Sequence, residues 1–149
     1  METYRITKYD KDWNRIASAN LKDCNTTVPF NAGSARMYSS GKYLLIRTCH
    51  KMYKSDDGLN HQANVTIQVD MESMEITDSF TKTMTSKYGY VSHSFNQFIK
   101  VENNQIIALD HGDAYPRSIV LIKYHTDMSG GKFTPDYFNP CTVTDVVAI

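Results

Sequence analysis

Apolar and polar residues alternate along short runs of this chain, and clusters of Asp, Asn, Ser and Gly separate the runs. Period-two alternation puts the apolar side chains on one face of an extended strand, so the pattern predicts β-structure rather than helix. The most legible stretch is Val91 to Tyr124. Phe98, Ile99 and Val101 lead into Glu102-Asn103-Asn104, a tight-turn signal, and Gln105-Ile-Ile-Ala-Leu109 resumes an extended apolar run. Asp110 to Arg117 reads as a polar loop closed by Pro116, and Ile119 to Tyr124 as a third strand rich in β-branched residues. The nearest helix candidate, Asn14 to Leu21, is short and falls where a turn and strand are expected. Thr81 to Ser86 reads as a connection or weak strand.

The strands recur. Tyr4 to Ile16 resembles Asn64 to Ile76, with Tyr9-Asp10 falling on Val69-Asp70, and Val65, Ile67 and Val69 fall in turn on Val120, Ile122 and Tyr124. Each copy is an alternating strand, a polar turn and a further short apolar segment (Ile16, Ile76, Phe133) that predicts an outer strand. Between the copies, Gly33 to Met37, a Ser39-Ser-Gly-Lys42 turn and Tyr43 to Arg47 correspond to Phe95 to Ile99, Asn103-Asn104 and Ile106 to Asp110. The order predicts an all-β, four-stranded antiparallel meander repeating every 55 to 60 residues. One such unit cannot cover both its faces, so neighbouring copies must stack. A radial stack of four-stranded sheets is a β-propeller, with blades of roughly 40–50 residues. The expectation is about two and a half propeller-like blades in one domain, 1–149. They comprise a partial blade at 1–20, whole ones at 31–80 and 91–138, and the start of another at 143–149. A chain that opens and closes within its own repeat predicts a piece of a longer protein, or a homo-oligomer that completes the propeller between chains.

Charge narrows the partners. Lys and Arg number 16 and Asp and Glu 16, with no long block of either sign. Nucleic-acid binding, which needs a basic excess to displace phosphate counterions, is not expected. No apolar run approaches the roughly 20 residues of a membrane span, and Met1-Glu-Thr-Tyr-Arg-Ile lacks a signal peptide's apolar core. The chain therefore reads as soluble. Cys24, Cys49 and Cys141 are widely spaced with no C-x-x-C pair. They read as small buried thiols, with one disulfide left open and no zinc site supported.

Val91-Ser-His-Ser-Phe-Asn-Gln-Phe-Ile and Asp110-His-Gly-Asp-Ala-Tyr-Pro-Arg, with Lys8-Tyr-Asp-Lys-Asp-Trp-Asn, Val28-Pro-Phe-Asn-Ala-Gly-Ser and Gly58-Leu-Asn-His-Gln-Ala-Asn, resemble a family of bacterial extracellular or cell-surface propeller-like repeat proteins. The resemblance covers nearly the whole chain. It implies a propeller-like fold and an extracellular or cell-surface location, and it carries no catalytic residues over. Members are typically longer and carry an export signal, which again implies a piece of a longer product.

In a propeller the loop between the second and third strands opens on the same face as the connection into the first. That geometry predicts His93, Asp110, His111, Asp113, Tyr115 and Arg117 near one another, with His50, Asp56, Asp57 and His61 alongside. Imidazoles and carboxylates are what zinc ligation or proton transfer requires. The plainer reading is a structural corner: an Asp holding backbone N–H groups, Gly112 and Pro116 shaping the turn, and Arg117 paired with a carboxylate. No H-x-H or H-E-x-x-H spacing is present, so no catalytic residue, metal or cofactor is assigned. Ser55-Asp-Asp-Gly-Leu-Asn60 lacks the spacing of a calcium loop. Ser92, Ser94 and Cys49 have adjacent histidines, but neighbours along a strand point to opposite faces and make no nucleophile and base. Tyr38, Tyr43, Tyr53, Tyr88, Tyr90 and Tyr115 can stack on sugars or pack between blades. The functional expectation is a non-enzymatic binding module taking a glycan or protein on the loop face. The alternatives are a hydrolase or lyase using His93, His111 and Asp110 or Asp113, and a purely structural, self-associating propeller fragment.

Overall fold

The computed structural model describes residues 2–22, 26–29, 34–52, 62–82, 85–86, 89–90, 97–103, 105–112 and 118–125. Among them the chain is all-β, with every strand pairing antiparallel and no helix. β1 (Glu2–Tyr9) and β2 (Arg15–Lys22) form a hairpin. A central sheet follows, in which β3 (Thr26–Pro29) and β4 (Arg36–Ser40) lie end to end against β5 (Tyr43–Met52). β5 pairs onward with β6 (Gln62–Asp70) and β6 with β7 (Glu75–Lys82). β8 (Thr85–Ser86) and β9 (Gly89–Tyr90) make a small ladder, and β10 (Gln97–Glu102), β11 (Gln105–Gly112) and β12 (Ser118–His125) form a third meander.

The expected strands at Asn14 to Leu21, Val65 to Val69 and Ile119 to Tyr124 are strands, and the second copy carries its outer strand, β7, at Ile76. The outer strand expected at Phe133, the segment expected at 143–149 and the whole of 126–149 lie outside the described residues. The polar loop expected to open at Asp110 does not open there. Asp110, His111 and Gly112 continue β11, paired with Val120, Ile119 and Ser118. Likewise β5 runs on through Thr48 to Met52, beyond the strand expected at Tyr43 to Arg47, because β3 and β6 flank it there and take up its backbone groups.

The turns have local causes. In the β4–β5 hairpin Ser40 pairs with Tyr43, and Gly41 takes a positive φ of 56° that side chains resist. The β1–β2 and β6–β7 turns share one device. Asp10 Oδ1 accepts the backbone N–H of Asp12 at 2.9 Å and of Asn14 at 2.8 Å. Asp70 Oδ1 accepts those of Glu72 at 2.9 Å and Ser73 at 3.1 Å. Each turn ends on a left-handed residue, Trp13 (φ 64°) and Met74 (φ 56°). The sequence correspondence of Asp10 with Asp70 is thus a correspondence of turn chemistry.

The sheets stack through alternate residues. On one face of the central sheet Ile46, Val65, Ile67 and Val69 are buried with Ala19 and Leu21 of β2, and Tyr4, Ile6, Leu44, Met74 and Ile76 pack around them. Tyr4 donates its hydroxyl to the Cys49 carbonyl at 3.2 Å and Lys8 its ammonium to the Met71 carbonyl at 2.8 Å, fastening the hairpin over this core. Cys49 is a buried thiol, and no disulfide occurs among the described residues. On the other face lie Leu45, Arg47, Asn64, Thr66 and Gln68, all buried, against Gln97, Ile99, Ile106, Ala108 and Asp110 of the third meander.

Placing the β4–β5 turn on the β10–β11 turn, Ser40 on Glu102 and Tyr43 on Gln105, puts Leu44, Ile46 and Thr48 on Ile106, Ala108 and Asp110. The first set faces the hairpin that precedes the central sheet, and the second faces the central sheet that precedes the third meander. Each sheet therefore shows the same face to its predecessor.

Ile67, fully buried between hairpin and central sheet, tests the apolar interface. Ile67→Ala is expected to lower unfolding free energy by about 2–5 kcal/mol, whereas Ile16→Ala at the exposed start of β2 changes it by under about 0.5 kcal/mol. Urea denaturation of the two variants beside the parent chain measures both.

Candidate functional site

A buried polar cluster joins the central sheet to the third meander. The side chains of Arg47 on β5 and Asp110 on β11 are both fully buried. Arg47 Nε donates to Asp110 Oδ1 at 2.9 Å, and its Nη2 donates to Oδ2, a two-pronged pairing of guanidinium with carboxylate. Arg47 Nη1 donates to Thr66 Oγ1 at 2.6 Å, and Asn64 Nδ2 donates to Asp110 Oδ2 at 2.9 Å. The strands dictate the cluster. Asn64 pairs with Cys49 and Thr66 with Arg47 across the β5–β6 ladder, so alternation presents all these side chains to the facing sheet.

Gln97 is paired with Asp110 in the β10–β11 ladder and is buried beside it. Among the described residues neither polar atom of its amide has a hydrogen-bond partner, nor does Asn64 Oδ1. The cluster is a structural tie, with both carboxylate oxygens of Asp110 already engaged.

The expected site residues are distributed as follows. Asp110 is buried between sheets rather than presented on a loop, which the sequence obscured by placing it beside His111 and Gly112. His50 stands on β5, paired with Pro29 and Ala63, and His111 on β11, paired with Ile119. His93, Asp113, Tyr115, Arg117, Asp56, Asp57 and His61 lie outside the described residues, as does the Ser55 to Asn60 segment. Among the described residues no three His, Cys, Asp or Glu side chains converge on one point. Of the tyrosines, Tyr38 is exposed, and Tyr43 is half-buried with the Lys42 ammonium 5.3 Å from its ring centre.

Arg47, Asn64 and Thr66 were not foreseen. The available signal was a single Arg within the apolar run Tyr43-Leu-Leu-Ile-Arg-Thr-Cys49. A charge at that place is rarely buried without a partner.

A second electrostatic feature sits at the turn end of the central sheet. The Lys42 ammonium lies 2.7 Å from Asp70 Oδ2. That bond, followed by the Ser73 and Glu72 amides, holds the Asp70 carboxyl down at about 2, and the same contact raises Lys42. Asp10, donated to by the Asn14 amide and side chain, is lowered as well.

No family model matches the chain, and neither a curated protein nor a solved structure is significantly similar to it.

Two measurements follow from these contacts. Arg47→Met strands the Asp110 carboxylate in the interior and is expected to cost about 3–5 kcal/mol, whereas the double variant Arg47→Met with Asp110→Leu costs well under the sum of its two single changes. Denaturant titration of the four chains gives the coupling. Because the Asp70 carboxyl is lowered on folding, the stability it contributes is present above the ordinary carboxylate range near 4 and is lost as pH falls toward about 2. Urea midpoints taken from neutral pH down to about pH 2 should fall more steeply through that window for the parent chain than for Asp70→Asn.

Proposed function

We propose that the three sheets are successive blades of a β-propeller-like stack, and that the chain is a non-enzymatic interaction module of a bacterial exported or cell-surface protein. It takes a glycan or a protein at the face where the β5–β6 and β11–β12 connections depart. The observation that carries this is the same-face order of the stack, in which Leu44, Ile46 and Thr48 look back at one sheet as Ile106, Ala108 and Asp110 look back at the next. A row of units related in this way is how propellers and solenoids are built. Further support comes from β4 and β10, the first strands of consecutive meanders, which lie against each other as innermost strands near a common axis do.

Binding is favoured over chemistry because Asp110, the one candidate carboxylate among the described residues, has both oxygens held by Arg47 and Asn64. A proton-transfer group needs an accessible oxygen. A rigid stack delivering variable loops to one end suits recognition.

The test is to probe arrays of immobilised glycans and of surface proteins with the labelled chain, beside a Tyr115→Ala variant. The expected result is a signal on one ligand class that the variant loses at unchanged Tm. Silence across both arrays would count against the reading. So would turnover of an arrayed glycan that His93→Ala or His111→Ala abolishes, and that second result favours the hydrolase alternative.

A further inference from the structure

We infer that the outward face of the β1–β2 hairpin and the face of the third meander turned away from the central sheet bind each other, so that copies of this chain associate head to tail. The outward face of the β1–β2 hairpin carries Tyr9, Trp13 and Ile16, which are 49%, 83% and 56% exposed. Alternation sets Ala17, Ala19 and Leu21 toward the central sheet, and the bulge opposite Tyr9 leaves Ile16 on the far side with it. The rings of Tyr9 and Trp13 are tilted against each other with centres 6.1 Å apart, so the three side chains form one patch at the turn end of the hairpin.

The same positions in the next unit are an interface already made. Tyr9 corresponds to Val69 and Ile16 to Ile76, and Trp13, which falls on Ser73, is the left-handed residue of its turn as Met74 is of the equivalent one. Val69 is fully buried and Met74 and Ile76 pack around it, all beneath the hairpin that precedes them. A patch of this kind is covered wherever a preceding unit exists.

The third meander supplies a surface of the covering kind. Phe98 pairs with Leu109, and Leu109 with Leu121, giving an apolar row across β10, β11 and β12. It faces away from the central sheet, because Gln97, Ile99, Ala108 and Asp110 on the alternate positions face toward it. Phe98 and Leu109 are 44% and 36% exposed. The matching row of the central sheet is Arg36, Arg47 and Thr66, which joins the polar tie to Asp110. Leu121 corresponds instead in character to Ile6, at the same place in the hairpin, and Ile6 packs over Val65, Ile67 and Val69. The far face of the third meander thus matches the covering surface of the hairpin at Leu121 and is apolar at Phe98 and Leu109 as well, and the outward face of the hairpin repeats the covered surface at Tyr9 and Ile16.

The occupant is therefore a second copy of this chain, placed as the next unit. Such a contact joins two different patches, so it closes into a ring or extends as a filament according to the rotation per copy. The inference rests on the reading of the sheets as successive copies of one unit, and is independent of any ligand at the loops. Association without a glycan or protein signal would sink the loop-face reading alone.

Complementation between two variants tests it. One carries Phe98→Glu with Leu109→Glu, spoiling one end. The other carries Tyr9→Glu with Ile16→Glu, spoiling the other. All four positions are exposed, and far-UV circular dichroism with thermal melting checks that each variant folds. If a glutamate pair unfolds the chain, Leu109→Ser and Ile16→Ser replace it and are read the same way. The expected result by light scattering over a rising concentration series is a parent mass that climbs past that of two chains. Each variant alone stays at one chain, and their equimolar mixture reaches two chains and stops. A parent chain that remains single throughout overturns the inference, as does a mixture that fails to pair. Either variant forming dimers by itself, the mark of a self-complementary contact, overturns it too.

Discussion

The guanidinium of Arg47 and the carboxylate of Asp110 are enclosed together between two sheets, and the alignment of those sheets depends on their meeting. Taking one such charge out of water unpaired costs several kcal/mol. The pair offsets this only in the geometry observed, with Nε on one carboxylate oxygen, Nη2 on the other, and Thr66 and Asn64 completing the shell. A slip of two residues along β11 moves the carboxylate by about 7 Å and leaves both charges buried and separate. A slip of one residue turns Asp110 to the opposite face altogether. Apolar side chains in the same space would tolerate several neighbouring alignments, and this cluster tolerates one.

The interface on the other side of the central sheet is held differently. There Ala19 and Leu21 lie on Ile46, Val65, Ile67 and Val69, a dry contact whose strength follows the apolar area removed from water. Direction is supplied at its margins by the Tyr4 hydroxyl on the Cys49 carbonyl and the Lys8 ammonium on the Met71 carbonyl. The central sheet is thus buried on both sides, apolar toward the hairpin and polar toward the third meander. β6 shows this within one strand, since Val65, Ile67 and Val69 go one way, Asn64, Thr66 and Gln68 the other, and all six are buried.

That arrangement explains what the sequence could and could not tell. The strands themselves were legible because alternation and turn residues are local signals, and the likeness of Asp10 to Asp70 reflected a shared use of the carboxylate on backbone amides. An alternating strand normally reads as one dry and one wet face. For β6 the second face is dry too, and nothing local to Asn64, Thr66 or Gln68 announces the carboxylate contributed by β11. Asp110 was misplaced for the same reason. Beside His111, Gly112 and Asp113 it resembles part of a polar loop, while its role is set by Arg47, a residue distant along the chain. Strand ends at Met52 and Gly112 were also missed, because pairing with β3, β6 and β12 carries polar residues into the ladder.

A chain of several antiparallel sheets must keep each sheet beside its proper neighbour, since like sheets can pair in the wrong order. Here the two interfaces differ in kind. Placing the apolar strip of the hairpin, Tyr4, Ile6, Ala19 and Leu21, over Arg47 would bury a cation against hydrocarbon. Placing Asp110 over Val65 and Ile67 would bury an anion in the same way. Each exchange carries a penalty of several kcal/mol, a large part of the margin by which a domain of this size is stable. Ile6 stands where the central sheet has Thr66, and Asp110 where it has Thr48, and these exchanges fall on faces that meet a neighbouring sheet. The order of the stack is therefore written in the differences between the faces its sheets present to one another.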